Sequence, residues 1–281
     1  MATATSLAPH PERIRSMIVP REHGAWGLLL LPMLTGASLA LAAGGRVTPL
    51  LLFAVAALAL FWLRTPVESL LGAAPLRPQS AAERNPVLFT AVAVATIAVL
   101  ALAALFADVS NWDLALLGAA SAAAFALQAL LKKLGRSTRM AAQVVGVAGL
   151  TVTAPASYCA ATGRLDRTAL ALWLANWIFA AGQVHFVQLR IHAARVSGWR
   201  AKLRRGRSFL LGQTAVLAAV LVAAHYALFS WLVPLAFVPA LARSARWFFR
   251  GPQPLAVRSL GWWEVALSVT FSALLVLAFL L

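Results

Sequence analysis

PVLFTAVAVATIAVLALAALFA, residues 86–107, runs for twenty-two residues without a charge. That length suits one passage across about 30 Å of hydrocarbon as a helix. In lipid every backbone amide needs an internal partner, and an uninterrupted apolar run satisfies this as a helix, whereas a membrane β-strand alternates. Eight similar runs flank it, at residues 24–43, 48–63, 113–131, 140–162, 168–189, 208–229, 230–249 and 262–281. The sequence therefore predicts an all-α, polytopic membrane protein with nine transmembrane helices, forming one domain over residues 20–281. The boundary between the seventh and eighth runs is weak, because almost nothing polar divides them. Residues 1–19 lack an apolar core and the charged, apolar, small-residue order of a cleavable signal, and read as a short disordered cytoplasmic tail.

Composition agrees. Of 281 residues, 62% are hydrophobic and 11% charged, against roughly a quarter charged in soluble domains. A single cysteine, Cys159, excludes an internal disulfide and a cysteine-rich metal or iron–sulfur site. Within an apolar run it reads as a small core residue.

The formal charge of +16 would suggest nucleic acid in a soluble chain. Here it reads as topology, with no nucleic-acid partner. With the N-terminus inside, 21 of the 24 Lys and Arg fall in the tail and in the loops after the second, fourth, sixth and eighth runs; only Arg46, Arg164 and Arg167 fall opposite. This asymmetry predicts N-terminus in and C-terminus out. Part of the excess, around Trp199, Arg200, Lys202, Arg204, Arg205 and Arg207, also suits anionic lipid head groups.

Polar residues within membrane segments are costly and mark function or pairing. They gather at the expected cytoplasmic ends. Pro20-Arg21-Glu22-His23-Gly24-Ala25-Trp26 opens the first run, with Pro and Glu suited to a helix start; Glu22 and His23 are the candidate acid and base. Arg64 and Glu68 follow the second run and share a face if the helix persists past Pro66. Asn85-Pro86 reads as a turn into the third run, with Arg84 just before it. In the sixth run Asn176, Gln183 and Arg190 fall on one face and His185, Gln188 and His192 on nearly the opposite one. One face is expected to line a cavity and the other to pack against a neighbour or approach the interface. Arg258, Gly261 and Glu264 precede the ninth run, where Glu264 reads as a helix-start residue. Pro155, Pro234 and Pro239 mark possible breaks, and Gly146-x-x-Gly149 suits close helix packing.

The opening Pro20-Arg21-Glu22-His23-Gly24-Ala25-Trp26 with Leu31-Pro32, the stretch Phe61-Trp62-Leu63-Arg64-Thr65-Pro66, and Arg258-x-x-Gly261-x-x-Glu264 resemble the bacterial YwiC-like family over nearly the whole chain. That resemblance implies a multi-pass protein of the bacterial cytoplasmic membrane and carries no activity with it. The layout is also similar to the UbiA-type prenyltransferase superfamily: nine helices, N-terminus in, and a cytoplasm-facing cavity served by the loops after helices 2, 4 and 6. Leu131-Lys132-Lys133 with Gln143 and Gly146 resembles that superfamily's basic segment. Its aspartate-rich motifs, which hold magnesium on a diphosphate, are missing. Their places read Arg64-Thr65-Pro66-Val67-Glu68 and Gln183-Val184-His185-Phe186-Val187-Gln188-Leu189-Arg190, so no metal site is expected.

Arginines and histidines there can grip an anion directly. The expectation is an amphipathic, isoprenoid- or quinone-like ligand whose anionic head meets Arg21, Arg64, Glu68, Arg84, Lys133, Gln183, His185 and Arg190. Its holder is then a binder or a metal-independent transferase using Glu22 or His23. The expected partners are membrane lipids, anionic or isoprenoid; no cofactor and no protein partner is named. A transporter or lipid flippase and a non-catalytic subunit of a membrane complex are the alternatives.

Overall fold

The computed structural model describes residues 11–20, 23–135, 137–193, 196, 198–250 and 256–281, with His23, Val257 and Arg258 described by their backbone alone. Every regular element among them is helical. The helices are α1 (Pro11–Ile18), α2 (His23–Ala42), α3 (Val47–Leu70), α4 (Ala81–Val109), α5 (Trp112–Lys133), α6 (Arg139–Thr151), α7 (Thr153–Thr162), α8 (Arg167–His192), α9 (Trp199–Arg205), α10 (Arg207–His225), α11 (Val233–Phe249) and α12 (Val257–Leu280). Among the described residues eight spans are long and apolar enough to cross a membrane, α6 and α7 together making one of them. The fold is that of a polytopic helical membrane protein. The predicted eighth segment is α11, 17 residues carrying Arg243 and Arg246. At 1.5 Å per residue it reaches about 25 Å, at the lower end of the length that crosses hydrocarbon.

The chain divides into two compact units, residues 1–23 with 51–110, and residues 24–50 with 111–281. In the first, α1 packs on α4. Residues 11–18, assigned by sequence to a disordered tail, are helical because they have partners. Arg13 Nε donates to Glu83 Oε1 at 2.8 Å, Trp62 Nε1 donates to the Ile18 carbonyl at 2.9 Å, and Met17 is wholly buried. Helix α4 starts five residues before Pro86, so Asn85-Pro86 is not a turn. Ser80 caps α4, its hydroxyl accepting from the Glu83 amide at 3.3 Å while Glu83 accepts from the Gln79 amide at 2.8 Å. Helix α3 continues past Pro66 to Leu70.

In the second unit the core joins α2, α7, α8, α10, α11 and α12. Thr153 and Ser157, one turn apart on α7, donate to the Leu29 and Met33 carbonyls of α2 at 3.0 and 2.9 Å. Asn176 on α8 donates to Thr35 Oγ1 at 3.1 Å. These bonds satisfy polar groups that would be costly in lipid. The α6–α7 junction at Val152 precedes Pro155, whose missing N–H leaves the Thr151 carbonyl without its helical donor; the chain bends there and continues as a helix. Gly146 and Gly149 give α6 its close approach to α5, where Ser121 Oγ donates to the Gly149 carbonyl at 3.0 Å.

Candidate functional site

Helices α8, α11 and α12 pack around a stack of three phenylalanines. The Phe179 and Phe271 rings lie parallel with centroids 3.8 Å apart, and Phe237 meets Phe271 edge-on at 5.1 Å. Two turns along the same helices, about 10 Å away, the packing opens into a cavity of about 710 Å³. Phe186, Trp247, Trp263, Leu260 and Leu267 give it apolar walls. Among the described residues, four arginines line it, Arg190 from α8, Arg243 and Arg246 from α11, and Arg250 just beyond α11, with one acidic residue, Glu264 of α12. A more open concavity of about 730 Å³ adjoins it, formed by Ala256, Ser259, Trp262, Trp263 and Ala266 at the start of α12.

Arg243 is the centre of the polar part. Its Nη1 donates to Gln183 Oε1 at 2.6 Å and forms the ion pair with Glu264. Its guanidinium carbon lies 3.7 Å from the centroid of the Phe186 ring. Cation–π contact and a desolvated ion pair hold this charge inside a helical bundle, where an unpaired one would be prohibitive. Two donors are left over: Arg243 Nε and Gln183 Nε2 are buried and have no hydrogen-bond partner among the described residues. A buried donor without an acceptor costs about 1–3 kcal/mol; of these two residues Arg243 lines the cavity and Gln183 does not.

Lys202 of α9 supports the rim. Its Nζ donates to the Arg250 carbonyl at 2.8 Å and the Trp247 carbonyl at 3.1 Å, and lies 4.8 Å from the centroid of the Trp247 ring. A cation on the last carbonyls of α11 opposes the negative end of that helix. Burial, with the nearby Arg190 charge, pushes the Lys202 pKa below the ordinary lysine value.

The sequence-predicted residues divide by place. Gln183 and Arg190 come together around Arg243. His185, on the other face of α8, packs edge-on against Phe209 with centroids 5.3 Å apart and does not line this cavity. In the other unit Arg64 Nε pairs with Glu68 Oε1 at 2.7 Å, made possible by α3 continuing past Pro66, and Arg84 is exposed on α4. Lys133 is exposed at the end of α5. Arg21, Glu22 and the His23 side chain lie outside the described residues. Glu264 is in the third turn of α12, not at its start, and bonds Arg243 instead of the first amides.

Residues 19–158 match the model of the family described as YwiC-like protein. No curated protein and no solved structure matches the chain. The matched stretch ends within α7, so the Arg243 cluster and the Arg258-x-x-Gly261-x-x-Glu264 segment lie beyond it.

Proposed function

The chain belongs to the YwiC-like protein family, and from that premise we propose that it is a multi-pass protein that binds an amphipathic ligand with an anionic head in the cavity between α8, α11 and α12. The observation that carries this reading is the surplus of arginine: among the described residues four arginines and one acidic residue line a cavity whose other walls are mostly aromatic and aliphatic. The head would meet the arginines by charge-assisted hydrogen bonds. An isoprenoid-, quinone- or acyl-like tail would leave along the Trp262–Trp263 concavity. The basic ends of α8, with Arg190 and His192, and of α11, with Arg243 and Arg246, support a cytoplasm-facing mouth, and a bacterial inner membrane suits the family. Binding is favoured over catalysis because Glu264, the acidic residue among the described ones lining the cavity, is paired with Arg243.

The test is native mass spectrometry with lipid extraction on gently purified wild type and an R246Q/R250Q variant. Both substituted side chains are exposed, so their loss leaves no buried charge unpaired. A defined amphiphile retained by the wild type and lost from the variant supports the proposal. Identical bulk lipid in both overturns it.

A further inference from the structure

Resting on that reading, we infer that the anionic head is a terminal phosphate, a phosphomonoester carrying close to two negative charges, and not a singly charged carboxylate or phosphodiester. Three features of the cavity carry this step. Arg243, Arg246 and Arg250 stand three and four residues apart, which puts three like charges along one side of α11 and its end. Such a row is destabilising by itself. Arg190 adds a fourth from α8, and its charge acts on both Arg243 and Glu264. Preference for positive loops explains arginines at helix ends. It does not explain a guanidinium drawn into the bundle beside three others around one cavity.

The donor count points the same way. The site already contains a carboxylate, Glu264, which satisfies only Arg243 Nη1. Arg243, whose Nε has no partner among the described residues, lines the cavity together with Arg190, Arg246 and Arg250. A second carboxylate offers two oxygens and one charge. A terminal phosphate offers three free oxygens and about 1.5–2 charges at neutral pH, and guanidinium forks match it in pairs. The apolar concavity beside the arginines suits a phosphate esterified to a lipid; free phosphate shares the head chemistry and lacks the tail.

The experiment uses the full-length protein with dioleoyl phosphatidic acid, dioleoyl phosphatidylglycerol, oleate and inorganic phosphate as separate probes. Native mass spectrometry reads occupancy, and competition between probes reads preference. The expected result is occupancy by phosphatidic acid about tenfold above phosphatidylglycerol and oleate, falling about tenfold in R246Q/R250Q. If inorganic phosphate displaces phosphatidic acid at similar concentration, the phosphate assignment stands and its source is free phosphate. Equal occupancy by the two phospholipids, both lost in the variant, overturns the terminal phosphate and leaves the anionic amphiphile. No anionic preference in either protein overturns both.

Discussion

Arg243 of α11 and Glu264 of α12 are bonded to each other inside the second unit, with four-fifths or more of each side chain withdrawn from the surface. Removing one member of a buried pair leaves the other uncompensated, at about 3–5 kcal/mol, whereas replacing both with apolar groups of similar volume is often near neutral. E264A is therefore expected to unfold well below wild type in detergent, and R243M/E264L close to it. Thermal unfolding followed by tryptophan fluorescence makes the comparison. A double variant as damaged as the single would show that the pair holds the helices together by more than charge neutralisation.

The same pair shows where sequence reading reached its limit. Apolar runs announced the helices because hydrocarbon thickness sets a length that composition alone reveals. Hydropathy then trimmed polar helix ends: residues 81–85 belong to α4 through the Ser80–Glu83 cap, and α3 continues past Pro66 to the Arg64–Glu68 pair. By that logic Arg243 became a loop charge and Glu264 a helix-start acid. A signal was nonetheless present. Residues 243 and 264 stand ten places either side of positions 253 and 254, so an antiparallel pairing of the two helices brings them level. Gln183 and Arg190 were legible from seven-residue spacing on α8, while Phe186 over Arg243 needed the packing itself. His185 was singled out for its chemistry, and its ring packs edge-on against Phe209.

Gly36 of α2 faces the backbone of α7. A Cβ there would overlap the Ala154 carbonyl oxygen and Ser157 Oγ, the hydroxyl that donates to Met33. Backbone cannot step aside as a side chain can, so G36A is expected to cost about 1–3 kcal/mol by overpacking. Gly27, on the same helix with nothing within 4 Å of such a Cβ, is the control: G27A should be neutral or slightly stabilising. Unfolding temperatures of the two variants, compared in the same detergent, decide it; equal values would mean α2 and α7 are not held at this distance.

Ala227 closes the end of α10 in a left-handed conformation, φ 55°, with its amide on the Ala224 carbonyl and the Leu228 amide on the Ala223 carbonyl. Helices commonly end this way, but on glycine. For an L-residue with a Cβ this conformation costs about 1–2 kcal/mol. A227G should remove that strain and raise stability by about 1 kcal/mol, after the extra freedom glycine gives the unfolded chain is discounted. A fall in unfolding temperature would show that the turn between α10 and α11 is not strained.

Lys202 gives a prediction in pH. Its folded pKa lies below the ordinary lysine value because burial, then the charge of Arg190, disfavours the ammonium. The unfolded chain therefore holds this proton over a window in which the folded chain has begun to lose it. Stability rises with pH wherever the unfolded state binds more protons. The penalty of burying the charge is fully present below the lowered value and has vanished above the ordinary one, near 10.4. K202M lacks the titration and also lacks the bonds to the Trp247 and Arg250 carbonyls, which should cost about 1–2 kcal/mol at neutral pH. The wild type should thus unfold above K202M at pH 7, and the gap should widen as pH climbs toward the ordinary lysine value. Unfolding midpoints for both proteins across that range give the difference directly. A gap that narrows with rising pH would mean that the folded environment favours the ammonium and that its contacts with α11 outweigh its burial.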